Sequence, residues 1–196
     1  MIKLDGMEEA AEAAKQFQFL ERTLFERRTL TLFGEINTEA ARRTMEKLLA
    51  LSYESDDPIT IYIGSPGGHV ESGDTIFDVI RFIKPLVRTV GTGWVGSIAT
   101  HIYLAADKAN RFCLPNTRFL IHQPAGGFGG TAADVEIHAR EILKTRERIN
   151  HVIAEQTGQD VERVAKDTER DYWMGPEESV DYGIVGKIIH SIDELE

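Results

Sequence analysis

Ser97, His122 and Asp171 are the residues of this chain whose types suit acyl-transfer chemistry: a nucleophile, a base and an orienting carboxylate. Ser97 lies in Gly96-Ser97-Ile98-Ala99, between a strand-like run, Leu86 to Val90, and a helix-like run, Ile98 to Ala106. A small nucleophile at such a junction sits at a helix N-terminus, where unpaired backbone N–H groups and the helix dipole favour negative charge. An oxyanion is stabilised in such a setting. His122 follows in Phe119-Leu120-Ile121-His122-Gln123-Pro124, and Asp171 in Asp167-Thr168-Glu169-Arg170-Asp171.

The elements that must hold these residues apart in sequence and together in space are legible as alternating strands and helices. Thr29 to Phe33 reads as a strand ending at Gly34, and Asn37 as the N-cap of a helix carrying Ala41, Met45, Leu48 and Leu49. Ile59 to Ile63 reads as a second strand, and Gly64-Ser65-Pro66-Gly67-Gly68 as a tight loop. Ser72 to Ile83 is an expected helix stopped by Lys84-Pro85. Strand, helix and strand are expected at Val87 to Val90, Ile98 to Ala106 and Arg111 to Leu114. A further strand, Arg118 to Ile121, leads into His122. Gly126 to Gly130 is a flexible stretch, and Ala132 to Glu155 is the longest helical pattern. Met7 to Phe25 is expected to be helical in part, with Glu8, Glu9 and Glu12 ahead of Lys15 on a solvated face. The alternation implies an α/β fold with right-handed crossovers.

Composition sets the frame. The chain has 196 residues, 42% hydrophobic and 28% charged, as one globular domain would. That length buries roughly 70% of the unfolded surface, so no disulfide or metal staple is required. A net charge of −10 argues against a general nucleic-acid partner. Cys113 is the single cysteine, in an apolar run, and implies a reducing compartment and a buried thiol. No run approaches the roughly 20 apolar residues of a membrane span. Met1 to Gly6 has no signal-peptide core, and the acidic residues after it disfavour a transit peptide. The expected location is the cytoplasm.

Several motifs compete. Gly91-Thr92-Gly93-Trp94-Val95-Gly96 matches the dinucleotide pattern G-x-G-x-x-G. Trp94 is too bulky for close pyrophosphate approach, and the next strand is followed by Asn116 and Thr117 rather than an acid. A glycine-rich turn serving Ser97 is the simpler reading. The α/β-hydrolase elbow requires G-x-S-x-G, whereas Val95 and Ala99 flank this serine. The order Ser, His, Asp also differs from the three common triad orders. The chain belongs to another serine-enzyme architecture or to none. Gly67-Gly68 serves either as an oxyanion N–H and groove wall or as a plain βα turn. His101 shares the helical face of Ser97 and is either a second base or, more simply, a packing residue. His138 and His151 lie among charged residues of the long helix. No histidine pair has metal-ligand spacing, so no metal site is expected.

From about Gly34 to Ile189 the chain resembles the proteolytic subunit of the Clp protease family, serine peptidases that work with ring-shaped ATPase unfoldases. The resemblance is carried by Ser65-Pro66-Gly67-Gly68, Arg111-Phe112-Cys113-Leu114-Pro115-Asn116, Ile121-His122-Gln123-Pro124, Glu136 to Leu143, and Asp167 to Asp171. It implies a Clp protease/crotonase-like superhelix of ββα units with a protruding handle helix at about residues 123–156. Residues 1–18 would form an N-terminal segment and 19–196 one catalytic domain. Ser97 would be the nucleophile, His122 the general base and Asp171 the orienting acid, with oxyanion N–H groups at Gly68 and Ile98.

The resemblance further implies a homo-oligomer of two stacked seven-subunit rings, with Arg170 as inter-ring contact. Tyr62, Phe82, Val90, Phe112, Leu114 and Ile189 would form the pocket where a Clp-type AAA+ unfoldase docks. Substrates would be unfolded proteins, and the chain itself would need no cofactor, ATP being used by the partner. Two departures stand out. Ala99, Thr100 and His101 replace smaller or apolar residues after the nucleophile, and Met1 to Gln18 differs from the family's leading segment. A weakly active or structural ring subunit paired with an active paralogous ring is therefore the alternative. The enoyl-CoA hydratase superfamily shares the fold but does not need this Ser, His and Asp set.

Overall fold

The computed structural model describes residues 5–127 and 129–195, with side chains described for residues 15, 16 and from 18 onward within that range. Phe128 in the glycine stretch, residues 1–4 and the expected acidic face at Glu8, Glu9 and Glu12 lie outside the described residues or side chains.

A long first helix, α1 (Asp5–Glu26), leads into β1 (Thr29–Ile36), α2 (Thr38–Glu54), β2 (Ile59–Gly68), α3 (Val70–Phe82) and β3 (Val87–Gly96). These repeat a strand-helix unit whose strands pair in parallel, β1 with β2 and β2 with β3. Each unit is encoded locally. Asn37 caps α2 by accepting the Ala40 N–H at 2.9 Å, and β2 alternates fully buried Ile59, Ile61 and Ile63 with half-buried Thr60 and Tyr62.

Beyond β3 come α4 (Ile98–Tyr103), β4 (Arg111–Cys113), β5 (Arg118–Ile121), α5 (Ala132–Thr157), α6 (Val161–Asp167), β6 (Tyr172–Met174), α7 (Pro176–Tyr182) and β7 (Lys187–Ile188). The main path of the sheet runs β1-β2-β3-β4-β7. The long strand β3 serves two neighbours. Thr89 to Gly91 pair with β4, whereas Trp94 to Gly96 pair with β5, which in turn pairs antiparallel with β6. This fork carries the end of β3 that leads into Ser97 away from the main body of the sheet.

Two sequence expectations are corrected here. Gly64 to Gly68 is not a tight loop but the second half of β2, paired with Glu35, Ile36 and Val95 past a register shift. Gly91 to Gly96 is not a glycine-rich turn but extended strand. In both cases neighbouring strands on each side supply the ladder that glycine's weak strand propensity would not predict. α4 also ends at Tyr103 rather than Ala106, with the Leu104 N–H closing onto Thr100 and His101 carbonyls.

α5 opens with a capping box, Thr131 and Asp134 exchanging side-chain and backbone bonds. Its first half is exposed, including Val135, Ile137 and Leu143, and burial begins only at Ile149 and Asn150. The helix thus projects from the body and is anchored by its second half. Among the described residues no helix is long and apolar enough to cross a membrane.

Candidate active site

Three strand ends converge. Ser97 follows the C-terminal end of β3, His122 follows the C-terminal end of β5, and Asp171 precedes β6. Because β6 runs antiparallel to β5, with Ile121 opposite Tyr172, its beginning lies at the same edge as the end of β5. Ser97 Oγ is 2.8 Å from His122 Nε2, and His122 Nδ1 is 2.9 Å from Asp171 Oδ1. A carboxylate only accepts, so Nδ1–H donates to Asp171 and the bare Nε2 accepts the Ser97 hydroxyl hydrogen. That tautomer readies the imidazole to take a proton from the serine.

Ser97 adopts φ 56, ψ −128, a left-handed backbone that non-glycine residues avoid. Its surroundings enforce the strain. Its N–H donates to Leu120 O at 2.9 Å, and its carbonyl accepts the Thr100 N–H at 3.0 Å. The Thr100 hydroxyl, a departure from the family pattern, stands 2.9 Å from Val95 O and 3.0 Å from Leu120 O, stitching α4 to β3 and β5. Such overdetermined strain is a feature of functional sites.

Gly67 presses against this turn. At φ +98, a Cβ there would lie 2.7 Å from Ser97 Cβ and 3.1 Å from the Ile98 nitrogen. Only glycine permits both the conformation and the approach. Buried Ser65 pins the segment by donating to Gly34 O at 2.6 Å and accepting the Gly67 N–H at 3.1 Å. Gly68, at φ +153, packs on the Ile36 carbonyl.

Gln123 and Thr168, both in the motif blocks quoted above, hold the segment bearing Asp171. Gln123 donates its backbone N–H to Thr168 O at 2.6 Å and its side-chain amide to Glu169 O at 2.7 Å. The buried Thr168 hydroxyl lies 2.8 Å from Val164 O and 3.0 Å from Asn150 Oδ1 of α5, within donating reach of both. The Gln-Pro following His122 was the available signal, but its partners lie more than forty residues on. Trp94, half exposed beside Gly96, has a partner that its sequence context does not announce. It meets Trp173 edge to face at 5.4 Å, and Arg118 lies 4.4 Å over the Trp173 ring.

Arg170 is exposed beside Asp171 and makes no ion pair among the described residues. Tyr62, Val90, Phe112, Leu114 and Ile189 come together, with Leu195, in a small apolar cluster separate from the main core. Phe82 stands apart from that cluster, exposed at the end of α3. Cys113 is buried, and burial pushes its thiol up to about 12. Among the described residues no cluster of His, Cys, Asp and Glu has the makings of a metal site.

The sequence pattern of the family described as Clp protease matches residues 11–192. The chain belongs to the Clp protease family. A protein of Paracoccus denitrificans named ATP-dependent Clp protease proteolytic subunit is 56% identical over 162 residues, 83% of this chain and 81% of that protein. Proteolytic subunit 3 of Rhizobium meliloti is 54% identical over 175 residues, 89% and 90% of the two chains. Among solved structures, ClpP1 from Listeria monocytogenes superposes with a TM-score of 0.83 at 54% identity, covering 90% of this chain and 99% of that one. The fold is therefore the Clp protease fold, and the chain is a serine peptidase of that family.

Proposed function

We propose that Ser97, His122 and Asp171 cleave peptide bonds through an acyl-enzyme. The observation that carries this is the unbroken hydrogen-bond chain from Ser97 Oγ through the His122 imidazole to Asp171. Ser97 Oγ attacks the scissile carbonyl carbon as its proton passes to His122 Nε2. The carbonyl oxygen becomes an oxyanion facing backbone N–H groups at Gly68 and Ile98. His122 then protonates the leaving amine, and the C–N bond breaks. A water gives its proton to Nε2 and attacks the acyl carbon, and the proton returns to Ser97 Oγ as the ester bond breaks. Asp171 fixes the tautomer and offsets the charge of the transient imidazolium.

The catalytic unit spans residues 19–196, and the active species is two stacked seven-subunit rings of this chain. The exposed first half of α5 and Arg170 supply the ring-to-ring contacts. A Clp-type AAA+ unfoldase docks at Tyr62, Phe82, Leu114 and the underlying Val90, Phe112 and Ile189, and feeds unfolded protein substrates into the chamber. The relatives' name, ATP-dependent, supports assigning nucleotide use to that partner. No step above calls on a cofactor, and the reaction belongs in the cytoplasm. Ser97→Ala tests the reading. It should lower kcat on a fluorogenic peptide by up to about 10⁶ with assembly intact. A variant that keeps its activity excludes the mechanism.

A further inference from the structure

His101 lies one turn beyond Ser97 in α4, and 2% of its side chain is exposed. Its ring stacks on Phe77 of α3 at 4.4 Å and 25°. Nε2 approaches Asp74 Oδ1 of α3 at 3.4 Å, whereas Nδ1 is buried with no hydrogen-bond partner. Asp74 continues the path. Arg148 of α5 grips both its oxygens, at 2.9 and 2.6 Å. Burial alone would raise the Asp74 carboxyl, but the nearby His101 ring and the Arg148 guanidinium that grips it hold it below its usual value. It is thus an ionised acceptor between two donors.

The placement of each end matters. Arg148 immediately precedes Ile149 and Asn150, where α5 passes from its projecting half to its packed half. At the other end, the His101 backbone N–H points to Ser97 O at 3.4 Å, so the turn that strains Ser97 includes His101 itself. Gly73 allows α3 to lie directly against this turn, since a Cβ there would meet the Ile98 side chain. Packing does not explain an imidazole here. An apolar ring would stack on Phe77 equally well and would not bury an unpartnered nitrogen, which costs stability.

We propose that His101 is a positioning residue that ties Ser97 to the base of the projecting helix through Asp74 and Arg148. The Arg148–Asp74–His101 chain fixes the roll of α4 about its axis and so the direction of Ser97 Oγ toward His122. Displacement of α5 at Arg148 is transmitted to the nucleophile by this path, separately from the Asn150–Thr168 contact that serves Asp171. The inference rests on the peptidase reading above.

The test uses the full chain with His101→Phe, Arg148→Gln and the double variant. His101→Phe should keep or raise the wild-type Tm and hold the sedimentation profile and KM. Its kcat and the rate of fluorophosphonate labelling at Ser97 should fall tenfold or more, as a displacement of up to 1 Å costs up to ~10²-fold. Arg148→Gln should also lower the labelling rate, and the double variant should label no more slowly than His101→Phe alone. His101→Gln, which restores a donor to Asp74, should recover part of the loss. If Arg148→Gln alters assembly, Asp74→Asn takes its place in the cycle. Wild-type labelling and kcat in His101→Phe overturn the proposal, as do losses that multiply in the double variant. A wild-type protein unlabelled at Ser97 overturns the peptidase reading itself, and this proposal with it.

Discussion

Asp171→Asn separates the role of the carboxylate from its shape. The side chain is mostly exposed, at 62%, and its partner His122 is 29% exposed. A pair this open contributes about 0–1 kcal/mol to folding. For a chain of this size that is less than about 4 °C in Tm. The catalytic cost is far larger. With Nδ1 and Oδ1 2.9 Å apart, the imidazolium formed during attack loses its counter-charge. Charges separated by about 4 Å at an effective dielectric near 20 interact by about 4 kcal/mol, roughly a thousandfold in rate. The new amide can also present N–H to Nδ1, which moves the imidazole hydrogen to Nε2 and points a donor at Ser97 Oγ. Together these effects should lower kcat on the order of 10⁴, by analogy with a triad where this change was made. The assay is peptide hydrolysis, with thermal denaturation and sedimentation on the same preparation. A kcat within tenfold of wild type, at unchanged Tm, would refute the orienting role of Asp171.

Arg170→Ala should yield single rings or smaller species and a matching loss of peptidase activity, read by sedimentation velocity and hydrolysis on one sample; fully active single rings would contradict the coupling of assembly to Asp171. Cys113, buried and with its thiol pushed up to about 12, should resist alkylation at pH 8 in the native protein and react after unfolding; rapid native labelling would contradict that burial. Glu194 is lowered to about 2 by the Lys187 ammonium and by N–H groups of His190 and Ser191. Its folded value lies below the unfolded one, ~4.3, so its contribution is present above that pH and is lost as pH falls toward 2. Protection of the His190 and Ser191 amides, relative to their intrinsic exchange rates, should fall over that window, and Glu194→Gln should remove that pH-dependent loss of protection.

The candidate triad was legible because its members sit in short ordered blocks. Ser97, His122 and Asp171 each fall beside an apolar run or within a family-like segment, and their convergence follows from β3 and β5 ending, and β6 beginning, at one edge. The glycine-bearing halves of β2 and β3 were not legible. Gly64 to Gly68 and Gly91 to Gly96 have turn composition, and only the flanking strands make them strands. The supports of the site were hidden for a related reason. Gln123 acts on Thr168 and Glu169, and His101 meets Asp74 and Phe77, through contacts that no local period encodes. Leu195 joins the apolar cluster from the far end of the chain and has no neighbouring motif to announce it.

The most direct test of the account is covalent labelling of the assembled protein with a fluorophosphonate, followed by peptide mass mapping. Ser65 is the internal control, since its hydroxyl is buried and engaged by Gly34 and Gly67. The account predicts a single phosphonyl adduct on Ser97, lost in Ser97→Ala and strongly slowed in Asp171→Asn. An adduct rate at Ser97 no greater than at Ser65 would contradict it.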